Sequence, residues 1–478
     1  MSPTTRRGLA LIVSMLCFDM TGVAFGQQGA SSAAASRTRY LGEMGVIPSS
    51  REVAVEEFVN YHRHQIGLPT SDQAVNMDVR WGNNVVSGSG RQAVLQVGFS
   101  TALQNDRQHL RPINLALVID KSGSMADYDK LSRVKTSLLA LVSRLRETDV
   151  LSIVIFDDEA EVLMPARTLE DKDEVKQLIR RIEPGGSTNL NAGLMLGYRE
   201  ALKHFRKNAT NRVILLTDGI ANRGVTDPKS IAEASSSFND KGIDLSTIGV
   251  GLDLNKDLLR ELATSGRGLF HFVADNEDVE KVFVNELQSL LSPVAAEPNL
   301  EIEYGSGLEL EQLYGYQPKI RHHKVTLKLE NMNSGLTEVV LLRFTATSDD
   351  LERSRLPVKV RLTYYDLERK EEVVKTQEIF LTVREGSPQE MLKDEEVGKN
   401  YTIALLAQSI RDMAAACEGG RYRTAENLVN SAIASTCRRY PHLEDEDIKR
   451  TLLIAQKYQD VLKKRNRLDD SRGDGDGR

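Results

Sequence analysis

The sequence predicts a doubly wound, mostly parallel α/β sheet with a flanking β-sandwich and a C-terminal helical hairpin. Three changes of pattern along the chain support this fold class. From residue 113 to residue 291, short apolar runs alternate with amphipathic helical runs, as expected of a parallel sheet covered by helices on both faces. After Pro293 short strands alternate with turns, as in a sandwich, and helical periodicity returns at residue 396.

Length and composition exclude several classes of protein. The 478 residues suggest two to four domains at roughly 100–200 residues each. A hydrophobic content of 40% and a charged content of 27% exclude wholesale disorder. The net charge of −6 gives no electrostatic footprint for nucleic acid, and 5% aromatic residues argue against a stacking platform for sugars or bases. Three cysteines cannot form a disulfide framework.

Residues 1–26 are predicted to be a secretory signal peptide. Arg6 and Arg7 precede a short apolar run, and the small residues Ala24 and Gly26 follow it. The run is far shorter than the ~20 residues of a membrane span, although an uncleaved anchor is the alternative. No later run of 18 apolar residues occurs. We therefore expect export to the periplasm or the exterior, with no transmembrane span after cleavage and the Sec and Tat routes both open.

Residues 27–73 are expected to form a loose leader and a helical segment, with a helix over Val53–Leu68 that ends before Pro69. The next segment, 74–110, contains two runs that alternate as strands. Two strands alone are marginal in water, so we expect these runs to join the later sandwich.

The α/β domain is predicted over 111–293, and the pairing just described would make it an insertion between strands of one sandwich. Its two ends, Arg111 and Pro293, should then lie close together. A last helix is predicted from Glu277 to Leu291, and Glu161–Met164 is predicted as an antiparallel edge strand. The predicted parallel strands are Ile113–Asp120, Val150–Phe156, Val213–Thr217, Leu245–Val250 and Gly268–Val273.

The remaining chain is divided into a β-sandwich over 294–385, a helical region over 395–464 and a disordered tail over 465–478. In the helical hairpin, Cys417 lies at the turn and Cys437 about 24 Å along the returning helix, too far apart for a disulfide. Both are therefore predicted to be free, buried thiols.

A group of oxygen-bearing side chains follows the strands of the α/β domain. Asp120, Ser122 and Ser124 come directly after the first parallel strand, Thr188 lies in a glycine-rich loop that opens a helix, and Asp218 closes another strand. Ligands of open α/β sheets bind at the carboxyl ends of the strands. Hard oxygen ligands suit Mg²⁺, Mn²⁺ or Ca²⁺. The first three residues alone would be explained equally well by a helix cap, but Thr188 and Asp218 favour a metal site.

These residues resemble the von Willebrand factor type A domain, which has a Rossmann-like sheet, and its metal-ion-dependent adhesion site, DxSxS…T…D. The match covers about 111–293. The resemblance implies that Ser122, Ser124 and Thr188 contact the metal directly, while Asp120 and Asp218 act largely through water. Residues 53–61, 300–304 and 313–316 resemble the flanking segments of the secreted bacterial YfbK-like group.

The resemblance implies an extracytoplasmic protein-binding module and no enzyme. A divalent metal, Mg²⁺ or alternatively Mn²⁺ or Ca²⁺, would receive an acidic residue, Asp or Glu, of a protein partner. One alternative is a metal-dependent hydrolase that uses the same cluster, which would need a general base beyond Asp120 and Asp218. Another is a structural envelope protein that the metal stabilises. The sequence indicates no nucleic-acid partner.

Other candidate motifs are weaker. Ser132–Lys135 fits the S-x-x-K pattern of an acylating serine, but the companion motifs of that enzyme class are absent from the sequence. His62 and His64 do not share one face of a helix, and His322 and His323 lie in a predicted turn, so both pairs are predicted to be solvated surface.

Overall fold

The computed structural model describes residues 33–70, 72–87, 91–102, 112–218, 221–251, 254–273, 293–347, 355–385 and 390–473. The predicted signal peptide, the helix predicted over 277–291 and Arg111 lie outside these ranges.

The N-terminal segment is more ordered than the sequence suggested. Helix α1 spans Ala33–Glu43, within the stretch predicted to be loose, and its Leu41 is buried. The helix predicted over residues 53–68 is also wrong, because only α2 (Val55–Val59) is helical there. Tertiary contacts replace the later helical turns. The Asn60 side chain donates a hydrogen bond to the carbonyl of Val339 and accepts one from its N–H.

Three strands follow and enter the sandwich. They are β1 (Val75–Trp81), β2 (Val85–Ser87) and β3 (Gln92–Thr101).

The α/β unit contains one six-stranded sheet with helices on both faces. Its strands are β4 (Ile113–Asp120), β5 (Val150–Phe156), β6 (Ala160–Thr168), β7 (Thr210–Thr217), β8 (Ile243–Val250) and β9 (Arg267–Val273). Its helices are α3 (Lys130–Arg144), α4 (Lys172–Arg180), α5 (Leu190–Lys203), α6 (Pro228–Asn239) and α7 (Lys256–Ser265). The strand order is β6-β5-β4-β7-β8-β9, and only the β5–β6 pair is antiparallel.

The central strands of this sheet are buried along their whole length. Every residue of β4 and β5 is buried, because helices cover both faces. Continuous Val, Leu and Ile runs are the sequence signature of such strands. The observed architecture confirms the predicted fold class.

The sandwich strands after the α/β unit are β10 (Pro293–Tyr304), β11 (Leu308–Leu313), β12 (Lys319–Arg321), β13 (Lys324–Lys328), β14 (Met332–Asn333), β15 (Thr337–Ala346), β16 (Arg355–Asp366) and β17 (Glu371–Arg384). One sheet has the order β1-β3-β15-β11 and the other β12-β13-β10-β16-β17-β2, with β14 paired to β10.

Strands from both sides of the α/β unit therefore form the same sandwich. β3 pairs antiparallel with β15, and β2 pairs parallel with β17. The two sheets enclose a core that includes Trp81, Phe99 and Phe344. The boundaries drawn for the individual domains stay a prediction.

The C-terminal helices are α8 (Glu395–Glu418), α9 (Tyr422–Arg439) and α10 (Glu446–Gly473). The prediction of a disordered tail from residue 465 is wrong as far as Gly473, because α10 continues to that residue. The three helices share a hydrophobic core with the N-terminal segment and the outer face of the β3–β15 sheet, and this core includes Val94, Leu341 and Ile410. Within the described ranges, none of the helices combines the length and apolar composition that a bilayer span requires.

Two predictions about side-chain burial are wrong. His64 is buried and His62 half-buried, because the chain after α2 folds back against α8 instead of continuing as an exposed helix. Cys417 and Cys437 are unbonded, as expected, but Cys437 is exposed and Cys417 only half-buried. His322 and His323 are exposed, as predicted.

Candidate metal centre

The candidate site lies where β4 and β7 end. Because Ile119 is paired with Leu216, the next residues, Asp120 and Thr217, also stand side by side. The carboxyl ends of these parallel strands therefore bring Asp120 close to Asp218, the residue after β7. Both carboxylates are fully buried.

Both carboxylate oxygens of Asp120 accept hydrogen bonds from nearby residues. The backbone N–H of Ser122 donates to Oδ1 at 2.8 Å, and the Thr217 hydroxyl donates to Oδ2. Burial raises the pKa of Asp120 to about 6, and the nearby Asp218 charge adds to this rise, while the hydrogen bonds from Ser122 and Thr217 oppose it. A cation in the site would therefore stabilise the ionised form of the Asp120 carboxyl group.

The two serines place their hydroxyl groups next to each other. Ser122 is buried and Ser124 half-buried, and their Oγ atoms lie 3.3 Å apart. Adjacent ligands of one octahedral ion lie about 2.9 Å apart for Mg²⁺ and about 3.4 Å apart for Ca²⁺. The serine spacing therefore suits two neighbouring ligands of one hard cation.

The glycine-rich loop before α5 is bound to the serine loop by backbone hydrogen bonds. Gly123 N–H donates to Gly186 O at 2.9 Å, and Gly185 N–H donates to Lys121 O at 2.7 Å. Gly186 has φ +77°, and an added Cβ would lie 2.9–3.0 Å from side-chain atoms of Asp157 and Asp158. The close contact of this loop with Asp157 and Asp158 therefore requires glycine at position 186.

Thr188 is buried in the same loop and is held by the loop that follows β7. Its N–H donates to Asn222 Oδ1 at 2.8 Å, and its carbonyl accepts from the N–H groups of Asn222 and Arg223. Hydrogen bonds therefore join the loops of all five predicted site residues at one end of the sheet.

A buried lysine supplies a positive charge inside the site. Lys130, the first residue of α3, places Nζ 3.1 Å from Asp218 Oδ2, and both side chains are almost completely buried. Its aliphatic stem packs against Gly251. Asp218 therefore has a protein cation beside it.

The rim of the site is held by ion pairs between loops. Asp157 pairs with Lys121, and Asp158 pairs with Arg223 at 2.6 Å while accepting from Ser187 N–H. These carboxylates fix the loops and are already paired with protein groups.

The donor set fits a hard divalent cation, because it consists of two buried carboxylates and of hydroxyl groups. Sequence reasoning missed Thr217, Lys130 and Asn222. The parallel register places Thr217 beside Asp120 once β4 and β7 are paired, but no sequence pattern points to Lys130 or Asn222.

Comparisons with known proteins show what this chain is similar to. Residues 114–285 match the von Willebrand factor type A domain family. The chain is 31% identical over 305 residues to the uncharacterized protein YfbK of Escherichia coli, covering 62% of this chain and 51% of that protein. It is 30% identical over 210 residues to human inter-alpha-trypsin inhibitor heavy chain H3, covering 42% of this chain and 23% of that one. The chain spans about half the length of YfbK.

Two solved structures are also similar. A von Willebrand factor type A protein from Catenulispora acidiphila is 15% identical, with a TM-score of 0.48 and coverage of 82% of this chain and 98% of that one. The ArnB paralog VWA2 from Sulfolobus acidocaldarius is 18% identical, with a TM-score of 0.42 and coverage of 81% and 98%.

Proposed function

Because this chain contains a von Willebrand factor type A domain over residues 114–285, we propose that it recognises an acidic residue of a protein partner through a divalent cation. Domains of this family generally mediate protein–protein interaction and are often metal-dependent. The proposed ligands are Asp120, Ser122, Ser124, Thr188 and Asp218.

The observation that carries this proposal is the pairing of buried carboxylates with closely spaced hydroxyls. Both oxygens of Asp120 already accept hydrogen bonds, so this carboxylate suits a role through metal-bound water. Ser122 and Ser124 have hydroxyls at a spacing that suits direct contact. The bound cation would supply an electrophilic position for a carboxylate of the partner, and Mg²⁺, Mn²⁺ and Ca²⁺ are the ions that such ligands prefer.

The proposal assigns no residue to bond breaking. Asp120 and Asp218 are the carboxylates beside the proposed cation, and each is engaged, by hydrogen bonds or by Lys130. The proposed location is outside the cytoplasm, on the strength of the signal-peptide pattern in residues 1–26.

Metal binding is tested by titrating Mn²⁺ into the purified protein by calorimetry. We expect binding at the oxygen site in the wild type and a loss of its affinity of about 100-fold in Asp120→Ala, since a carboxylate that holds metal-bound water is removed. Asp127→Ala is the matched control, because Asp127 is an exposed carboxylate of the same loop. Equal Mn²⁺ affinity in wild type and a folded Asp120→Ala would contradict the proposal.

Partner recognition is tested with the same variants as bait in the native envelope fraction. A partner captured by the wild type and by Asp127→Ala should be released by a chelator, restored by Mg²⁺ or Mn²⁺, and not retained by Asp120→Ala. Replacing the partner's acidic residues one at a time should then identify one whose loss matches the effect of the chelator. Capture that ignores both the chelator and Asp120→Ala would contradict metal-dependent recognition.

A further inference from the structure

A second cluster of metal-ligating side chains lies far from the strand ends, between the N-terminal segment and helix α8. One ring nitrogen each from His62 and His64 and one carboxylate oxygen of Glu396 lie within 4.8 Å of one another. The two rings meet edge to face, with centroids 4.6 Å apart. His64 is only 3% exposed, and Glu396 lies in the first turn of α8.

The protonation of the His64 ring is fixed by Asn60. The Asn60 Oδ1 accepts from Val339 N–H at 2.8 Å, and its Nδ2 donates to Val339 O at 3.2 Å, so the backbone of Val339 determines how the amide is oriented. The same Oδ1 lies 2.9 Å from His64 Nε2. An amide oxygen only accepts, so His64 Nε2 carries a proton and Nδ1 is the nitrogen available to a metal ion.

The His62 ring is fixed in the same way by Asn400. Asn400 Nδ2 donates to Gln96 Oε1 at 2.9 Å and faces the Glu396 carboxylate at 3.4 Å, which can only accept. Its Oδ1 therefore points at His62 Nε2, 3.1 Å away, and accepts a hydrogen bond from it. The Nδ1 of His62 is thus also a free acceptor.

Both free nitrogens are buried and neither has a hydrogen-bond partner. His64 Nδ1 lies 3.5 Å from Glu396 Oε1, so both atoms face the same space.

The lysine of α8 beside this cluster is already paired with acidic side chains. The closest cationic side chain on α8, Lys399, is paired with Asp445 at 2.9 Å and with Asp447 at 2.7 Å. The cluster therefore presents two imidazole nitrogens and one carboxylate oxygen, which are ligand types of a transition-metal site.

We propose that His62 Nδ1, His64 Nδ1 and Glu396 bind one divalent transition-metal ion of the zinc type. Imidazole nitrogen with a carboxylate is a ligand set that suits Zn²⁺, and a hydrogen bond from the other ring nitrogen to a fixed acceptor is the usual support of such ligands. Two ligands of a tetrahedral Zn²⁺ lie about 3.4 Å apart, close to the His64–Glu396 separation. The widest separation must shorten by up to about 1.4 Å on binding.

The ion would connect two distant parts of the chain. His62 and His64 follow α2, whereas Glu396 begins the C-terminal helical region, and Asn60 and Asn400 anchor the ligands to the sandwich strands β15 and β3. Such an ion would therefore hold the N-terminal segment, the sandwich and α8 together. This role is independent of the proposed cation at Asp120.

The proposal is tested by adding Zn²⁺ or Co²⁺ to the purified full chain in saturating Mg²⁺, which occupies the oxygen site first. We expect one equivalent of Zn²⁺, a higher melting temperature, and the visible absorption of tetrahedral Co²⁺. His62→Gln and the isosteric Glu396→Gln should each weaken binding at least about 10-fold. His322→Gln, at an exposed histidine, and Asp120→Ala, at the other site, should leave it unchanged.

A measurement on the wild type alone removes any dependence on variant folding. X-ray absorption at the zinc edge should show two imidazoles and oxygen as ligands. No zinc-dependent shift, binding unaffected by His62→Gln and Glu396→Gln, or zinc without imidazole ligands would each overturn the proposal.

Discussion

The two clusters solve the same electrostatic problem in different ways. At the strand ends, Asp120 and Asp218 are buried together, and the protein provides its own cation, since Lys130 contacts Asp218. At the histidine cluster, two ring nitrogens and the Glu396 carboxylate converge, and the nearby Lys399 is paired with Asp445 and Asp447. The comparison teaches that a buried anionic site can be stable before its ligand arrives if a lysine balances it, whereas the histidine cluster, which includes the Glu396 carboxylate, leaves that task to the ligand.

The clusters also differ in what they connect. The oxygen site joins loops of a single sheet, whose ends are already fixed by strand pairing. The histidine site joins a segment near the N-terminus to a helix near the C-terminus. A metal ion at the oxygen site should therefore change partner recognition, and a metal ion at the histidine site should change the stability of the protein. Four predictions test this contrast, from the largest effect to the smallest.

Lys130→Met tests the built-in cation. Methionine keeps the aliphatic stem against Gly251 but removes the charge beside Asp218, which should destabilise the metal-free protein by about 3–5 kcal/mol. Mg²⁺ or Mn²⁺ should restore most of this loss, because the metal takes over the balancing charge. Denaturant unfolding with and without metal measures both effects. A loss that metal does not relieve would mean that the lysine has only a packing role.

Glu338→Gln tests the support behind the histidine cluster. Burial raises the pKa of Glu338 to about 7, and the Tyr316 hydroxyl, which donates to it, lies within 3.4 Å of the Asn60 amide. The folded pKa exceeds the unfolded value near 4.5, so this stabilisation is complete below pH 4.5 and is lost as pH rises through 7. The free energy of unfolding lost over this pH range should approach about 3 kcal/mol for two-state unfolding.

Unfolding of wild type and Glu338→Gln at pH 4.5, 6 and 8 measures this difference. The wild type should lose stability relative to the variant between pH 4.5 and pH 8. Because Glu56, whose pKa burial raises to about 8, titrates in both proteins, its contribution cancels in the comparison. Parallel pH profiles would contradict the assignment.

Thr217→Val tests the hydrogen bond that orients Asp120. The substitution keeps the shape of the side chain but leaves Asp120 Oδ2 without its donor, which should cost about 1–3 kcal/mol. Mn²⁺ affinity should fall about 10-fold. Thr210→Val, at the opposite end of β7, is the matched control and should leave metal affinity unchanged. Zinc binding at the histidine cluster should not respond to either change.

Gly186→Ala tests the approach of the Thr188 loop. The positive φ and the contacts with Asp157 and Asp158 should destabilise the protein by about 1–2 kcal/mol. Gly185→Ala is the control, because its added Cβ would meet no atom within 4 Å. Thermal unfolding of the pair provides the measurement. Equal melting temperatures would show that the loop can move away without cost.

The sequence predicted the fold class because strand and helix periodicities are local properties. The oxygen-site residues stay a prediction about metal, although their positions at strand ends could be anticipated because β4 and β7 are easily recognised. Lys130 could not be anticipated, since its contact with Asp218 depends on how α3 packs.

The errors have a common physical cause in long-range contacts. The helix expected after Val53 stops at Val59 because Asn60 bonds to Val339, and the histidines were assigned to the surface because their neighbour Glu396 is remote in sequence. A local pattern contains no information about such partners. The burial of Cys437 was misjudged for the same reason, since it depends on which face of α9 the other helices cover.

The pairing of β3 with β15 has a consequence for biosynthesis. Ser100 of β3 pairs with Thr337, so the partner strand is synthesised roughly 240 residues later, about 10–50 s at ordinary rates of translation. During that interval the α/β unit can complete its own sheet, whereas the apolar strand β3 has no partner on one edge. An unpaired apolar edge is a site of aggregation, so the nascent chain is most vulnerable between these two events. A chaperone that binds extended apolar segments would protect the chain at this stage.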